Sequence, residues 1–273
     1  MEKHEIEMLE SKSKEIRKLI IHEIATLGVG HVGGCLSAVE AMVCLYYRAM
    51  NIDPKNPKME GRDMFVLSKG HAGPALYAVL ADKGYFPIEE LDTLNKPETR
   101  LPSHADMLKT PGVDMTAGSL GQGISAAVGM AKASKIKKDN ARIFAMIGDG
   151  ESQEGQVWEA AMAAAHFGLD NFTLFLDNNG MQIDDLTEKT MNLGDVESKW
   201  KSFGFNTYSV DGHCVESISN AIDASKKVSG KPSIIILNTV KGKGVSFIED
   251  MGVKNHNATL NEEQKQRAFA ELA

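Results

Sequence analysis

A chain of 273 residues with 42% hydrophobic and 25% charged side chains has the composition of an ordinary globular protein, with room for one large α/β domain or two small ones. Its formal net charge of −7 argues against nucleic acid as the main partner, yet leaves room for a local basic pocket around a phosphate. No stretch is long and apolar enough to span a bilayer, Met1 to Glu5 open no signal core, and Cys35, Cys44 and Cys214 lack a metal-binding spacing. The expectation is a cytoplasmic protein with buried thiols and no membrane or nucleic-acid partner.

Taken in order, Ile6, Leu9, Ile16, Leu19, Ile20, Ile24 and Leu27 recur at spacings of three and four and predict a first helix over Glu5 to Leu27. Gly28 and Gly30 end it, Gly30 to Gly34 read as a loop, and Ser37 with Glu40 reads as a capping box for a helix to about Met50. Met64 to Leu67 form a short strand that runs into Ser68-Lys69-Gly70-His71, and Pro74 opens a helix through Lys83. A short helix near Ile88 to Leu94 precedes a loop holding His104. Gly118 to Gly123 form a second glycine-rich loop before a helix to about Ser134.

Ile143 to Ile147 and Phe172 to Leu176 are apolar runs of the kind buried in a parallel sheet, separated by a predicted helix from Glu151 to His166. A helix near Val196 to Phe203, a strand near Asn206 to Val210, a helix near Val215 to Val228 and a strand from Ser233 to Val240 follow. Thr259 with Glu262 is placed to cap a last helix. Strands alternate with helices without repeat or linker, which predicts an α/β fold: one doubly wound, mostly parallel sheet with helices on both faces. The expected domain is single, residues 1–273, with a looser tail from about Met251.

The chemistry gathers where the strands stop. Ile143 to Ile147 end in Gly148-Asp149-Gly150, and Phe172 to Leu176 end in Asp177-Asn178-Asn179-Gly180. In a right-handed strand–helix–strand unit both ends open on one sheet edge, so Asp149 and Asn179 are expected close together. Hard oxygen donors beside glycines suit a hydrated Mg²⁺ shared with a diphosphate. Asp-Gly and Asn-Gly are equally ordinary turns, and that reading stays open on these residues alone. His4, His22, His166 and His213 read as surface or satisfied core histidines. His31 and His71 sit beside glycine at element junctions, where a ring can face a cleft.

Gly148-Asp149-Gly150 followed by Asn178-Asn179 resembles the thiamine diphosphate fingerprint. Four further stretches resemble transketolase motifs in transketolase order: Gly30-His31-Val32-Gly33, Asp63 to His71, Gly118 to Gly123, and Thr239-Val240-Lys241-Gly242-Lys243-Gly244. The likeness covers nearly the whole chain and is to the N-terminal subunit of split, two-gene transketolases. It implies thiamine diphosphate and Mg²⁺ as cofactors, with Ca²⁺ or Mn²⁺ as substitutes. Asp149, the Asn179 amide oxygen and the Met181 carbonyl would ligate the metal. His71, Gly150 and Lys243 would hold the diphosphate, within a cofactor-binding set that also includes Gly118, Ser119 and Glu151. Leu120 and Ile183 would pack near the rings, where ordinary core is the competing reading. Glu154 would lie in a carboxylate network at the subunit contact, although a first-turn glutamate is also favoured by the helix dipole. His31, His104 and His256 would line the channel for sugar substrates and relay protons.

Two motifs depart from the family. His104 lies in Ser103-His104-Ala105-Asp106 where the family usually shows Gly-His-Pro, and Asn255-His256-Asn257 stands where split relatives show Trp-His-Gly. No carboxylate can be placed at the cofactor's aminopyrimidine ring, so half of an active site is expected here. A C-terminal transketolase subunit in an α₂β₂ assembly would supply the rest. The implied reaction moves a two-carbon ketol unit from a ketose, phosphorylated, sulfonated or otherwise anionic, to an aldose. A thiamine diphosphate component acting on 2-oxo acids and a non-catalytic cofactor-binding assembly module are the alternatives.

Overall fold

The computed structural model describes residues 1–183 and 185–273. Helix α1 (Lys3–Leu27) buries Leu9, Ile16, Ile20 and Ile24 and ends at Gly28. That residue takes φ 91°, a left-handed cap open to glycine without a Cβ penalty, and its N–H returns to the Ile24 carbonyl. After the two-residue strand β1 (Val29–Gly30), the expected loop is instead a buried helical turn, α2 (Val32–Leu36). Helix α3 (Val39–Cys44) continues as a π-helical turn over Leu45–Ala49. The Ser37–Glu40 capping box does not form. Ser37 Oγ donates to Asp177 Oδ2 at 2.7 Å, and Glu40 is taken by Arg17, 2.7 Å away. Both side chains are buried, and distant partners satisfy them in place of the local cap.

Strand β2 (Met64–Leu67), helix α4 (Gly73–Asp82) with Pro74 in its first turn, helix α5 (Gln122–Lys137) and strand β3 (Ile143–Gly148) follow as anticipated, with a 3₁₀ segment over Ile88–Thr93. The helix expected from Glu151 is interrupted. Glu151–Gln153 make a 3₁₀ turn, and α6 runs only from Gly155 to His166. Next come β4 (Phe172–Asn178), an unanticipated short helix α7 (Thr187–Met191), α8 (Val196–Ser202), β5 (Asn206–Asp211), α9 (Val215–Ser225) and β6 (Ser233–Asn238). Helix α10 (Ser246–Glu249) and a 3₁₀ turn over Gly252–His256 lead to β7 (Ala258–Thr259) and α11 (Glu262–Glu271). Beyond Met251 the chain returns to pair β7 with β1, Val29 opposite Thr259, and buries Leu260, Ala268 and Leu272. Thr259 is engaged in that ladder, so the last cap is Asn261 with Gln264, through bonds of 2.9 and 3.0 Å.

The five longer strands form one parallel sheet in the order β2-β3-β4-β6-β5. Period-two alternation sorts their side chains onto two faces. Phe65, Phe144, Met146, Phe175, Ile235 and Leu237 join the core beneath α1, α3, α4 and α9. Val66, Ile143, Ala145, Ile147, Leu174 and Ile234 pack under α5, α6 and α8. That second core is closed by Trp158 against Trp200, with ring centroids 4.7 Å apart. Among the described residues no helix is long and apolar enough to cross a membrane.

Candidate active site

Because the sheet is parallel, the carboxyl ends of β2, β3, β4 and β6 open on one edge, where doubly wound sheets bind ligands. At the base of that edge lies a buried ion pair. Lys69, just past β2, donates to Asp177 Oδ2 at 2.5 Å and to the Gly34 carbonyl at 2.8 Å. Asp177 also accepts from Ser37, from Asn179 Nδ2 at 3.1 Å and from Thr239 Oγ1 at 2.5 Å. Fully enclosed, it is disfavoured as an anion by burial, but Lys69 and these donors hold its carboxyl below the usual carboxylate range.

Above the pair lies a cavity of ≈ 370 Å³, bordered by residues from all four strand ends and by Gly118, Leu120, Gln182 and Ile183. Asp149 Oδ1 accepts from the Gly150 N–H at 2.8 Å, and Oδ2 accepts from the Gly180 N–H at 2.6 Å. The β3 and β4 termini are thereby bound to each other, as their expected proximity requires. Burial, reinforced by Asp177, pushes the Asp149 carboxyl up to about 6. The Asn179 side-chain oxygen accepts from the Met181 N–H at 3.2 Å, and the Met181 carbonyl accepts from Lys241 Nζ at 3.4 Å. Asp149, Asn179 and Met181 therefore offer an oxygen-only set with a single carboxylate. That set fits a hard divalent cation completing its shell with ligand oxygens. Among the described residues no cluster of three or more His, Cys, Asp or Glu side chains forms a metal cage.

Four histidines stand on the other wall. The His31 ring centroid lies 5.4 Å from that of His71, 5.9 Å from His104 and 5.4 Å from His256, while His71 and His256 are 5.0 Å apart. Burial, aided by the nearby cations, keeps three of them neutral. It lowers His31, takes His256 down to about 4 and His71 down to about 2. Lys241 Nζ lies 3.2 Å from His256 Nδ1, which assigns the imidazole proton to Nε2. Burial also lowers Lys241 to about 8. Since Lys69 is taken by Asp177, Lys241 is, among the described residues lining the cavity, the lysine without a carboxylate partner.

The structure brings together His31, His71, His104, Gly118, Leu120, Asp149, Gly150, Glu151, Glu154, Asn179, Met181, Ile183 and His256 around this cavity. Two expected residues fall outside its lining. Ser119 is exposed, and Lys243 lies farther along the turn that carries Lys241, its carbonyl held by Arg17 Nε at 2.9 Å. Lys241, two residues earlier in the same glycine-rich run, does border the cavity. Glu151 is present but works inward, accepting from Ser68, from the Gly121 N–H at 2.8 Å and from the Gly148 N–H at 3.2 Å. It joins the two glycine-rich turns. Ile183 is 65% exposed, so it offers a rim and no core.

Of the histidines set aside, His4 and His166 are exposed and His22 contacts Asp92 at the surface. His213 is internal: Nε2 accepts from the Val240 N–H at 2.8 Å, while Nδ1 faces Glu40 at 3.2 Å. The three cysteines are free thiols, and burial pushes Cys35 and Cys44 up to about 12. A second cleft of ≈ 530 Å³ opens at the opposite sheet edge. Two of its lysines are engaged locally, Lys135 by Asp170 and Lys226 by the Ala49 carbonyl at 2.6 Å.

Comparison with known proteins agrees with this geometry. The family described as the transketolase thiamine diphosphate-binding domain matches residues 9–272. A relative from Clostridium sp. (strain MSTE9), named as the SqwG component of a 6-deoxy-6-sulfo-D-fructose transketolase, is 55% identical over 97% of this chain and 96% of its own. One from Phocaeicola vulgatus, named as a component of an apulose-4-phosphate transketolase, is 36% identical over 98% of this chain and 95% of its own. Both names mark these relatives as subunits. The solved transketolase of Campylobacter jejuni superposes with a TM-score of 0.91 at 32% identity, covering 98% of this chain but 43% of that one. This chain thus spans less than half the length of that solved enzyme. From strand ends to motifs, it belongs to the transketolase family, as a thiamine diphosphate-binding domain.

Proposed function

We propose that this chain is the diphosphate-side subunit of a transketolase that acts with a separate C-terminal subunit, in an α₂β₂ assembly. The observation that carries the reading is the meeting of an oxygen donor set, one available lysine and four imidazoles in a single cavity at the strand ends. Thiamine diphosphate, when bound, supplies the electron sink for moving a two-carbon ketol unit between sugars. Asp149, Asn179 and the Met181 carbonyl would hold Mg²⁺, or Ca²⁺ or Mn²⁺ in its place. Lys241 and His71 would meet the diphosphate at the Gly150 turn, with Leu120 and Ile183 beside the rings and Gly118 at the edge.

Neutral His31 can donate a hydrogen bond to a sugar hydroxyl or accept a proton from it, while His256 donates through Nε2, with His104 on the same wall. Glu154, exposed at the rim, is placed to face the companion chain. The cavity's cations are committed, Lys69 to Asp177 and Lys241 to the diphosphate, so the companion must supply the charge for an anionic sugar terminus. The relative at 55% identity supports 6-deoxy-6-sulfo-D-fructose as the first donor to try, and the names of both relatives support a partner chain.

Calorimetric titration of the reconstituted pair with thiamine diphosphate and Mg²⁺ tests the proposal, followed by assays with sulfonated and phosphorylated ketoses beside 2-oxo acids. Saturable binding and ketol transfer from a ketose are expected. A flat titration rejects the reading, and turnover of 2-oxo acids alone moves the protein to another reaction class. Full activity of His31→Ala or His104→Ala with cofactor still bound would reduce the chain to an assembly module.

A further inference from the structure

We infer that Asn255 is a positioning residue for the diphosphate end of the site, holding Lys241 and His256 in place. This rests on the cofactor reading above. Asn255 is fully buried in the 3₁₀ turn immediately before His256. Its Nδ2 donates to the Lys241 carbonyl and to the Ile248 carbonyl, both at 3.0 Å. Both amide protons are therefore spent on fixing the loop that carries Lys241 to the neighbouring helix α10.

That loop needs an anchor. Gly242 and Gly244 have φ of 90° and 95°, so the backbone around the lysine is of the most adaptable kind. The Gly242 N–H reaches the Gly33 carbonyl at 3.1 Å, which brings α2 against the same spot. A Cβ placed on Gly33 would lie 2.1 Å from Asn255 Oδ1 and 2.6 Å from its Cγ. The amide is thus wedged between the turn bearing His31, the loop bearing Lys241 and the residue bearing His256.

Among the described residues, Asn255 Oδ1 has no hydrogen-bond donor although it is buried. A buried acceptor left unpaired is costly, so the amide is oriented for what its nitrogen does. A hydrophobic side chain would fill the space without gripping the Lys241 carbonyl. With that grip, the Lys241 ammonium is presented between the Met181 carbonyl and His256 Nδ1, where a diphosphate oxygen beside the metal ligands can meet it.

The test is a double-mutant cycle on thiamine diphosphate affinity, measured by calorimetry at saturating Mg²⁺ in the reconstituted complex, with thermal unfolding as a check on folding. Asn255→Ala and the shape-conserving Asn255→Asp are each expected to weaken binding about tenfold, the scale of one or two lost hydrogen bonds. In a Lys241→Ala background the same changes should cost almost nothing more. Should Asn255→Ala fail to fold, Asn255→Asp decides. Affinities within about twofold of wild type, or an undiminished loss in the Lys241→Ala background, would overturn the inference alone. A wild-type complex that binds no cofactor would instead remove the functional reading on which it rests.

Discussion

Lys241 and Lys243 share one glycine-rich turn, yet only the first borders the cavity. Their separation is a matter of tertiary anchoring. Thr239 is bonded to Asp177, the Val240 N–H to His213 and the Lys243 carbonyl to Arg17, which sets the Lys241 ammonium against the Met181 carbonyl. The motif contains both lysines, and nothing in their spacing distinguishes them. Lys241→Ala is expected to weaken thiamine diphosphate binding about tenfold or more, while Lys243→Ala stays within about twofold, as read by calorimetry. Glu23 presents a different cost. It is fully enclosed on α1, and among the described residues neither carboxylate oxygen has a hydrogen-bond partner. Burial raises its pKa well above the ordinary glutamate value. The native state therefore holds a proton that the unfolded state releases above about pH 4.3, so stability falls as pH rises from there toward the raised native pKa. Glu23→Gln removes that titration. Its thermal midpoint should exceed wild type by a few degrees at pH 8, and the gap should close toward pH 4.

Elements differ in how openly they were written. Strands β3, β4 and β6 are buried on both faces, so each reads as a nearly unbroken apolar run, and beyond β3 and β4 the acid or amide falls on the cavity edge by topology alone. For that reason Asp149 and Asn179 were legible, and family motifs added the histidine wall. Junctions were harder. Ser37 and Glu40 have the sequence of a cap but answer to Asp177 and Arg17, partners distant in the chain. Helix α2 hides among glycines, which lower helix propensity without preventing a packed turn. The Lys69–Asp177 pair and the inward role of Glu151 depend on contacts across the sheet edge, and no local period carries them. Removing one partner of such an enclosed pair typically costs about 3–5 kcal/mol, which gives the ion pair a structural part in holding the cavity floor.

At the scale of the molecule, the sheet and its two cores present a cavity open on one side, with Ile183 and Glu154 exposed at its rim. A solved transketolase chain is more than twice as long as the portion this protein matches. The proposed companion would close the open side and supply the carboxylate for the aminopyrimidine ring. Much of an enzyme's rate comes from fixing reacting groups in one geometry. The chain alone is therefore expected to turn over ketose at less than about a hundredth of the rate of the reconstituted pair, measured at equal protein concentration. Comparable rates for the isolated chain would place the missing groups within it.

The paired indoles carry a practical consequence. Trp158 and Trp200 are the only tryptophans, they lie against each other, and the Trp158 N–H donates to the Ser152 carbonyl at 2.9 Å, three positions after Asp149. Intrinsic emission thus originates from one spot wired to the loop that would clasp the ion. Loading of the proposed pyrophosphate pocket is therefore expected to shift that emission, with no label attached.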